Sequence, residues 1–92
     1  MVENKPYKVV NILGMSLHEW EFASCIAHFG VGSDWATLFD IRSLIEGRGH
    51  ATTLLREAKT YYEERGLRFG GSVALNSRMA KIYQRLGIKE YA

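Results

Sequence analysis

Between positions 48 and 65 the apolar residues Ala51, Leu54, Leu55, Ala58, Tyr61 and Tyr62 recur at three- and four-residue intervals, while Arg56, Glu57, Lys59, Thr60, Glu63 and Glu64 fill the opposite side. That period predicts an amphipathic helix from about Arg48 to Arg65. Gly66 marks its end, and Gly47 and Gly49 allow a tight loop into its first turn. On both sides of the helix the period shortens. Trp35 to Ser43 is rich in β-branched and aromatic residues, and Leu67, Phe69, Val73 and Leu75 alternate with smaller or polar ones, so both segments read as strands. Strand, helix and strand in this order make a βαβ unit with parallel strands and a right-handed crossover. Asn76 and Ser77 then cap a second helix with Met79, Ile82, Tyr83 and Leu86 on its apolar side. Gly87 ends that helix, and Ile88 to Tyr91 is long enough for a short last strand.

The first 34 residues support two patterns. Ser16 and Glu19 form a capping box before Trp20 to Phe29, which suits a helix stopped at Gly30. Within the same stretch, however, Trp20, Phe22 and Ile26 alternate with Glu19, Glu21, Ala23, Cys25 and Ala27, and Gly30 to Asp34 reads as a hairpin turn into the Trp35 strand. The alternation favours an antiparallel strand. Tyr7 to Leu13 is the strand before it, joined through a turn at Gly14, Met15 and Ser16. The expected architecture is a mixed α/β (α+β) fold: three antiparallel strands, then helix, strand and helix.

At 92 residues the chain supports one hydrophobic core and therefore one domain. An apolar share of 47% with 24% charged residues suits a soluble globular protein and excludes a disordered or fibrous one. A net charge of +2 is too small to require nucleic acid or a membrane as partner, though it permits a local basic patch. Cys25 is the single cysteine, so no intrachain disulfide can form; it reads as a small buried hydrophobe. No apolar run approaches the roughly 18 residues of a membrane helix, and the first residues lack the apolar stretch of a signal peptide, so a cytoplasmic location is expected.

The candidate chemistry lies in Glu46-Gly47-Arg48-Gly49-His50-Ala51-Thr52-Thr53. Two glycines let backbone N–H groups converge at the start of a helix, where unsatisfied amides and the positive end of the helix dipole attract an anion such as a pyrophosphate. Arg48 adds charge, and the Thr52 and Thr53 hydroxyls add hydrogen bonds. The same glycines also fit a plain tight turn. Neither a Walker A sequence nor a dinucleotide fingerprint is present. The His residues and Cys25 show no metal-ligand spacing, so no metal is expected.

In order, spacing and residue type, the run from Ala36 to Tyr91 resembles the GNAT acetyltransferases. Their acetyl-CoA signature is R/Q-x-x-G-x-G/A, whose last three positions match Gly49, His50 and Ala51. Leu54 and Leu55 follow as the family's helical Leu-Leu. The later motif N-x-x-A-x-x-x-Y-x-x-x-G-F has Asn76, Ala80, Tyr83 and Gly87 at related positions. The chain departs from the family at Glu46, which stands for Arg or Gln, and at Ile88, which stands for Phe. Only 34 residues precede Trp35, so the segment that shapes the family's acceptor site is short.

The resemblance implies an acetyl-CoA-dependent N-acetyltransferase acting on a primary amine of a small molecule or protein. It implies that the strand through Ile41, Arg42 and Ser43 splays from the Leu67 to Leu75 strand to admit the pantetheine arm. The N–H near Ile41 would then polarise the thioester carbonyl. Gly47, Arg48, Gly49, His50, Ala51 and Thr52 would hold the diphosphate, Asn76 the pantetheine or nucleophile network, and Tyr83 would protonate the departing thiolate. Tyr83 also suits a core aromatic. The general base stays open among Asp40, Glu21, His28 and His50. Trp20, Trp35, Tyr61 and Tyr62 read as core and interface aromatics. Arg78, Lys81, Arg85 and Lys89 form a basic face that is either solvated or turned to the adenosine 3′-phosphate. Two further readings accompany the enzyme: a non-catalytic acyl-CoA-binding module that regulates a protein partner, favoured by the short first half, and a nucleic-acid-binding domain, disfavoured by the small charge. A homodimer fits the shortened scaffold.

Overall fold

The structure is a computed structural model and describes residues 6–44, 49–72 and 77–90. Its elements are β1 (Lys8–Ile12), β2 (Met15–Phe22), β3 (Cys25–Val31), β4 (Trp35–Ser43), α1 (His50–Glu64), β5 (Arg68–Gly71), α2 (Ser77–Leu86) and β6 (Lys89–Glu90). All six strands lie in one sheet in chain order. β1 to β4 form an antiparallel meander, and β5 and β6 add to it in parallel. α1 packs against β2, β3, β4 and β5, with α2 beside it. Neither helix is long and apolar enough to cross a membrane.

Strand alternation decides which side chains meet the helices. Trp20, Cys25, Ala27, Phe29, Ala36, Leu38 and Phe69 point to one face, where they bury Leu54, Leu55, Ala58 and Tyr62 of α1 and Ile82 and Tyr83 of α2. Tyr62 is the hub of this layer. Its ring stacks on Phe69 with an interplanar angle of 19°, and its hydroxyl accepts a 3.0 Å hydrogen bond from Trp20 Nε1. The hydroxyl proton is left for His18 Nδ1 at 2.6 Å, an arrangement that suits a neutral imidazole, and burial lowers the His18 pKa. Burial likewise raises the Tyr62 pKa, so the phenol stays protonated and every buried polar atom of the hub is paired.

By the same registers the other face of the sheet carries Lys8, Val10 and Ile12 of β1, Met15, Leu17, Glu19 and Glu21 of β2, Ile26, His28 and Gly30 of β3, and Thr37, Asp40 and Arg42 of β4. Among the described residues no helix covers it. Phe39, 49% exposed, lies across Gly30, where a Cβ would come within 2.7 Å of the ring. Next to it the imidazole of His28 bridges three strands, meeting Asp40 Oδ1 at 2.7 Å and Glu19 Oε1 at 3.0 Å.

The second half matches its expected order, and α1 carries the expected apolar stripe. The first half differs. There are four antiparallel strands rather than three, because the stretch expected as one strand is broken by a hairpin at Ala23 and Ser24. Its turn uses Ala23 at φ 54, a left-handed conformation usually left to Gly, Asn or Asp, so no residue type announced it. The first turn is Leu13-Gly14, both at positive φ, with Met15 and Ser16 already in β2. Gly30 is buried inside β3, and the turn into β4 comes later, closed by a 2.9 Å bond from the Gly32 N–H to the Trp35 carbonyl. Cys25 is fully buried, as are Trp20 and, at 1% exposure, Tyr62; Tyr61 and Trp35 are half-buried. β5 spans Arg68–Gly71, and the Val73 to Leu75 part of the expected strand lies outside the described residues.

Candidate functional site

The pairing of β4 with β5 runs from Trp35 and Arg68 to Leu38 and Gly71, with a last bond of 3.0 Å from the Ser72 N–H to the Leu38 carbonyl. At that level β4 bulges: His28 faces Asp40 and Phe29 faces Leu38, leaving Phe39 as the extra residue. A bulge bends its strand and sharpens its twist. β4 then continues to Ser43 alongside β3, beyond its last residue paired with β5.

A cleft of about 930 Å³ opens on this stretch, lined by Ile41, Arg42 and Ser43 of β4, by Gly49, His50, Ala51 and Thr52 at the start of α1, and by α2 residues including Arg78, Lys81 and Arg85. That volume lies in the upper part of the range of about 300–1,000 Å³ common for small-molecule sites. Three basic side chains of α2, Arg78, Lys81 and Arg85, and no carboxylate belong to its described lining; Arg42 borders it from β4, although its register sets the side chain toward the other face of the sheet. In a chain of net charge +2, this gathers cations at one place.

Helix geometry adds to that charge. Gly49 is the N-cap of α1 at φ 73, in the left-handed region that glycine tolerates, and no cap side chain bonds the first-turn amides. The Gly49 carbonyl already accepts the Thr53 N–H at 3.0 Å, so helical bonding begins at once. No acidic residue stands in the first turn of either helix, although acids there would be favoured by the dipole. Arg78 instead brings a cation into the first turn of α2. His50 is held at the cleft wall, edge-on to Phe22 at 5.4 Å between ring centroids, with Nδ1 3.4 Å from Ser24 Oγ.

Seven of the residues expected to hold the cofactor therefore line one cleft: Ile41, Arg42, Ser43, Gly49, His50, Ala51 and Thr52. Gly47, Arg48 and Asn76 lie outside the described residues. Tyr83 does not line the cleft. It is 5% exposed on the core side of α2, and its hydroxyl donates a 3.0 Å hydrogen bond to the Ser72 carbonyl. Burial raises its pKa, the bond to Ser72 opposing that shift only in part, so the phenol is a proton donor at neutral pH. Of the open base candidates, His28 and Asp40 face each other on the opposite side of the sheet, where Glu21 also points, and only His50 lines the cleft.

Glu19 was outside the expected site, yet it completes the His28 bridge; only the register of β2 on β3 brings it there. Arg42, Lys81 and Arg85 border one cleft although they are 39 and 43 residues apart along the chain, the kind of proximity that tertiary structure alone reveals. No protein-family model matches the chain, and no curated protein and no solved structure matches it.

Proposed function

We propose that the cleft takes acetyl-coenzyme A and that the protein transfers the acetyl group to a primary amine. The observation that carries this reading is the cleft itself: the basic side chains of α2, an uncapped helix start and the stretch of β4 beyond its pairing with β5 meet there without a described carboxylate. Coenzyme A is an anion with a diphosphate and a 3′-phosphate attached to an amide-bearing arm. Its phosphates suit the amides of Gly49 to Thr52 together with Arg78, Lys81 and Arg85. The amide arm suits β4 at Ile41 and Arg42, beyond the residues that pair with β5, where a strand can be added. Gly47, Arg48 and Asn76 keep the roles that the GNAT resemblance gives them.

In this reading the amine nitrogen bonds to the acetyl carbon and the carbon–sulfur bond breaks, so the amine loses one proton and the thiolate gains one. An N–H near Ile41 stabilises negative charge on the carbonyl oxygen. Tyr83 supplies the proton to sulfur, for which its hydroxyl must turn from the Ser72 carbonyl. His50 is the base candidate within the cleft. The protein acts in the cytoplasm.

Tyr83→Phe tests the transfer step. Release of free thiol from acetyl-CoA over a panel of amines should slow at least tenfold, a usual scale for a lost acid, while acetyl-CoA binding is kept. Unchanged turnover removes Tyr83 from the reaction.

One observation favours a second reading, a non-catalytic acyl-CoA-binding module that regulates a protein partner: the Tyr83 hydroxyl is already engaged and its ring buried. Binding of acetyl-CoA with no thiol release from any amine would select it.

A further inference from the structure

The two edges of the sheet are unlike. At one end the described residues of β6, Lys89 and Glu90, are both charged, which blunts that edge against further pairing. At the other end β1 presents Lys8–Ile12, five residues exposed throughout, with valine or isoleucine at three positions and one charge. Such an edge, with its row of unpaired N–H and C=O groups, is a template for another strand. Its flanks extend the apolar surface: Tyr7 is 67% exposed, Val9 50%, Val10 41%, Ile12 44% and Leu13 101%. Val10 and Ile12 lie on the uncovered face and Val9 on the helix face, so both sides of the strand await cover.

We propose that β1 pairs with β1 of a second copy, antiparallel about a two-fold axis at Val10, to make one continuous sheet. The strand's own composition selects this occupant. Centred on Val10, the register sets Lys8 opposite Ile12 of the second copy and Val9 opposite Asn11, so no like charges face each other. Tyr7 meets Leu13, which brings two of the most exposed apolar side chains together. With a single charge, β1 offers nothing to choose a charged partner, whereas a two-fold pair closes the β1 edge of both copies and leaves the charged Lys89 and Glu90 of β6 at its outer edges. Tyr7, Val9, Val10, Ile12 and Leu13 together expose on the order of 500 Å² per copy, so pairing covers on the order of 1,000 Å², the threshold of a specific interface. The cleft, on β4 and the helices, is not part of this contact, so the pairing stands apart from the proposed activity.

Sedimentation equilibrium of the full chain, with Val10→Lys and Val10→Glu variants, tests it. A residue on a two-fold axis faces itself. Each variant alone should raise the dimer dissociation constant at least tenfold, and an equimolar mixture of the two should restore association, because Lys then meets Glu. Leu13→Asp, at a fully exposed turn, should weaken the dimer without changing the circular dichroism spectrum, guarding against a folding defect in the Val10 variants. A wild type that stays monomeric up to about 1 mM, the weak limit of affinities, overturns the proposal, as does a Val10→Lys variant that dimerises like wild type. Failure of the mixture to recover association overturns it too, since the axis would not pass through Val10.

Discussion

The Tyr83 hydroxyl donates to the Ser72 carbonyl at 3.0 Å, and the hydroxyl end of its ring occupies the space that a Cβ on the preceding Gly71 would need. One tyrosine thus fixes the end of β5 to α2, the two elements that the α2 wall of the cleft depends on. The close approach needs a residue without Cβ: a methyl at Gly71 would fall 2.6 Å from Tyr83 Cζ.

Gly71→Ala should therefore destabilise the fold by about 1–3 kcal/mol through overpacking. Tyr83 is buried and cannot yield cheaply. Denaturant unfolding measures the loss; an unchanged midpoint would show that the ring moves aside freely.

Tyr62→Phe keeps the stacked ring but removes the oxygen shared by Trp20 and His18. Trp20 is fully buried, so its N–H would be left unpaired, at a cost of about 1–3 kcal/mol. Thermal unfolding should show the melting temperature fall, and a variant as stable as wild type would contradict the hub role of this hydroxyl.

How much of this was legible in the sequence depends on the range of the forces involved. The α1 stripe is local periodicity, and Leu54, Leu55, Ala58 and Tyr62 are all buried as the spacing of apolar residues requires. The Gly49 loop was readable for the same reason, since a left-handed N-cap asks for glycine. The hairpin at Ala23 was not, because its positive φ is imposed by the strands on either side rather than by the turn residue. Nor could the chain order of residues reveal that Tyr83 would turn its hydroxyl to Ser72 or that Glu19 and Asp40 would share His28. Those relationships exist only once strand registers are set.

His28 makes the fold sensitive to pH. The hydrogen bond to Asp40 raises its pKa first, joined by Glu19 and the charges of both carboxylates, with burial acting against them. A folded pKa above the unfolded 6.5 means that the native state binds the proton more tightly. The contribution to stability is full below pH 6.5 and is lost as pH rises through the elevated folded value. Since His28 is 44% exposed, solvent screening keeps the effect modest. His28→Gln should remove that part of the pH dependence of unfolding; a wild-type profile flat from pH 5 to 9, about the span of histidine titration, would contradict the bridge.

Acetyl-CoA binding itself tests the central claim most directly. Titrated by calorimetry, the protein should bind one equivalent per chain, with affinity that falls as salt is raised and at least tenfold lower in Arg85→Glu and in Lys81→Glu, about the effect of reversing a charge beside a phosphate. No binding by the folded wild type, or equal affinity in both charge-reversed variants, would contradict the assignment of the cleft.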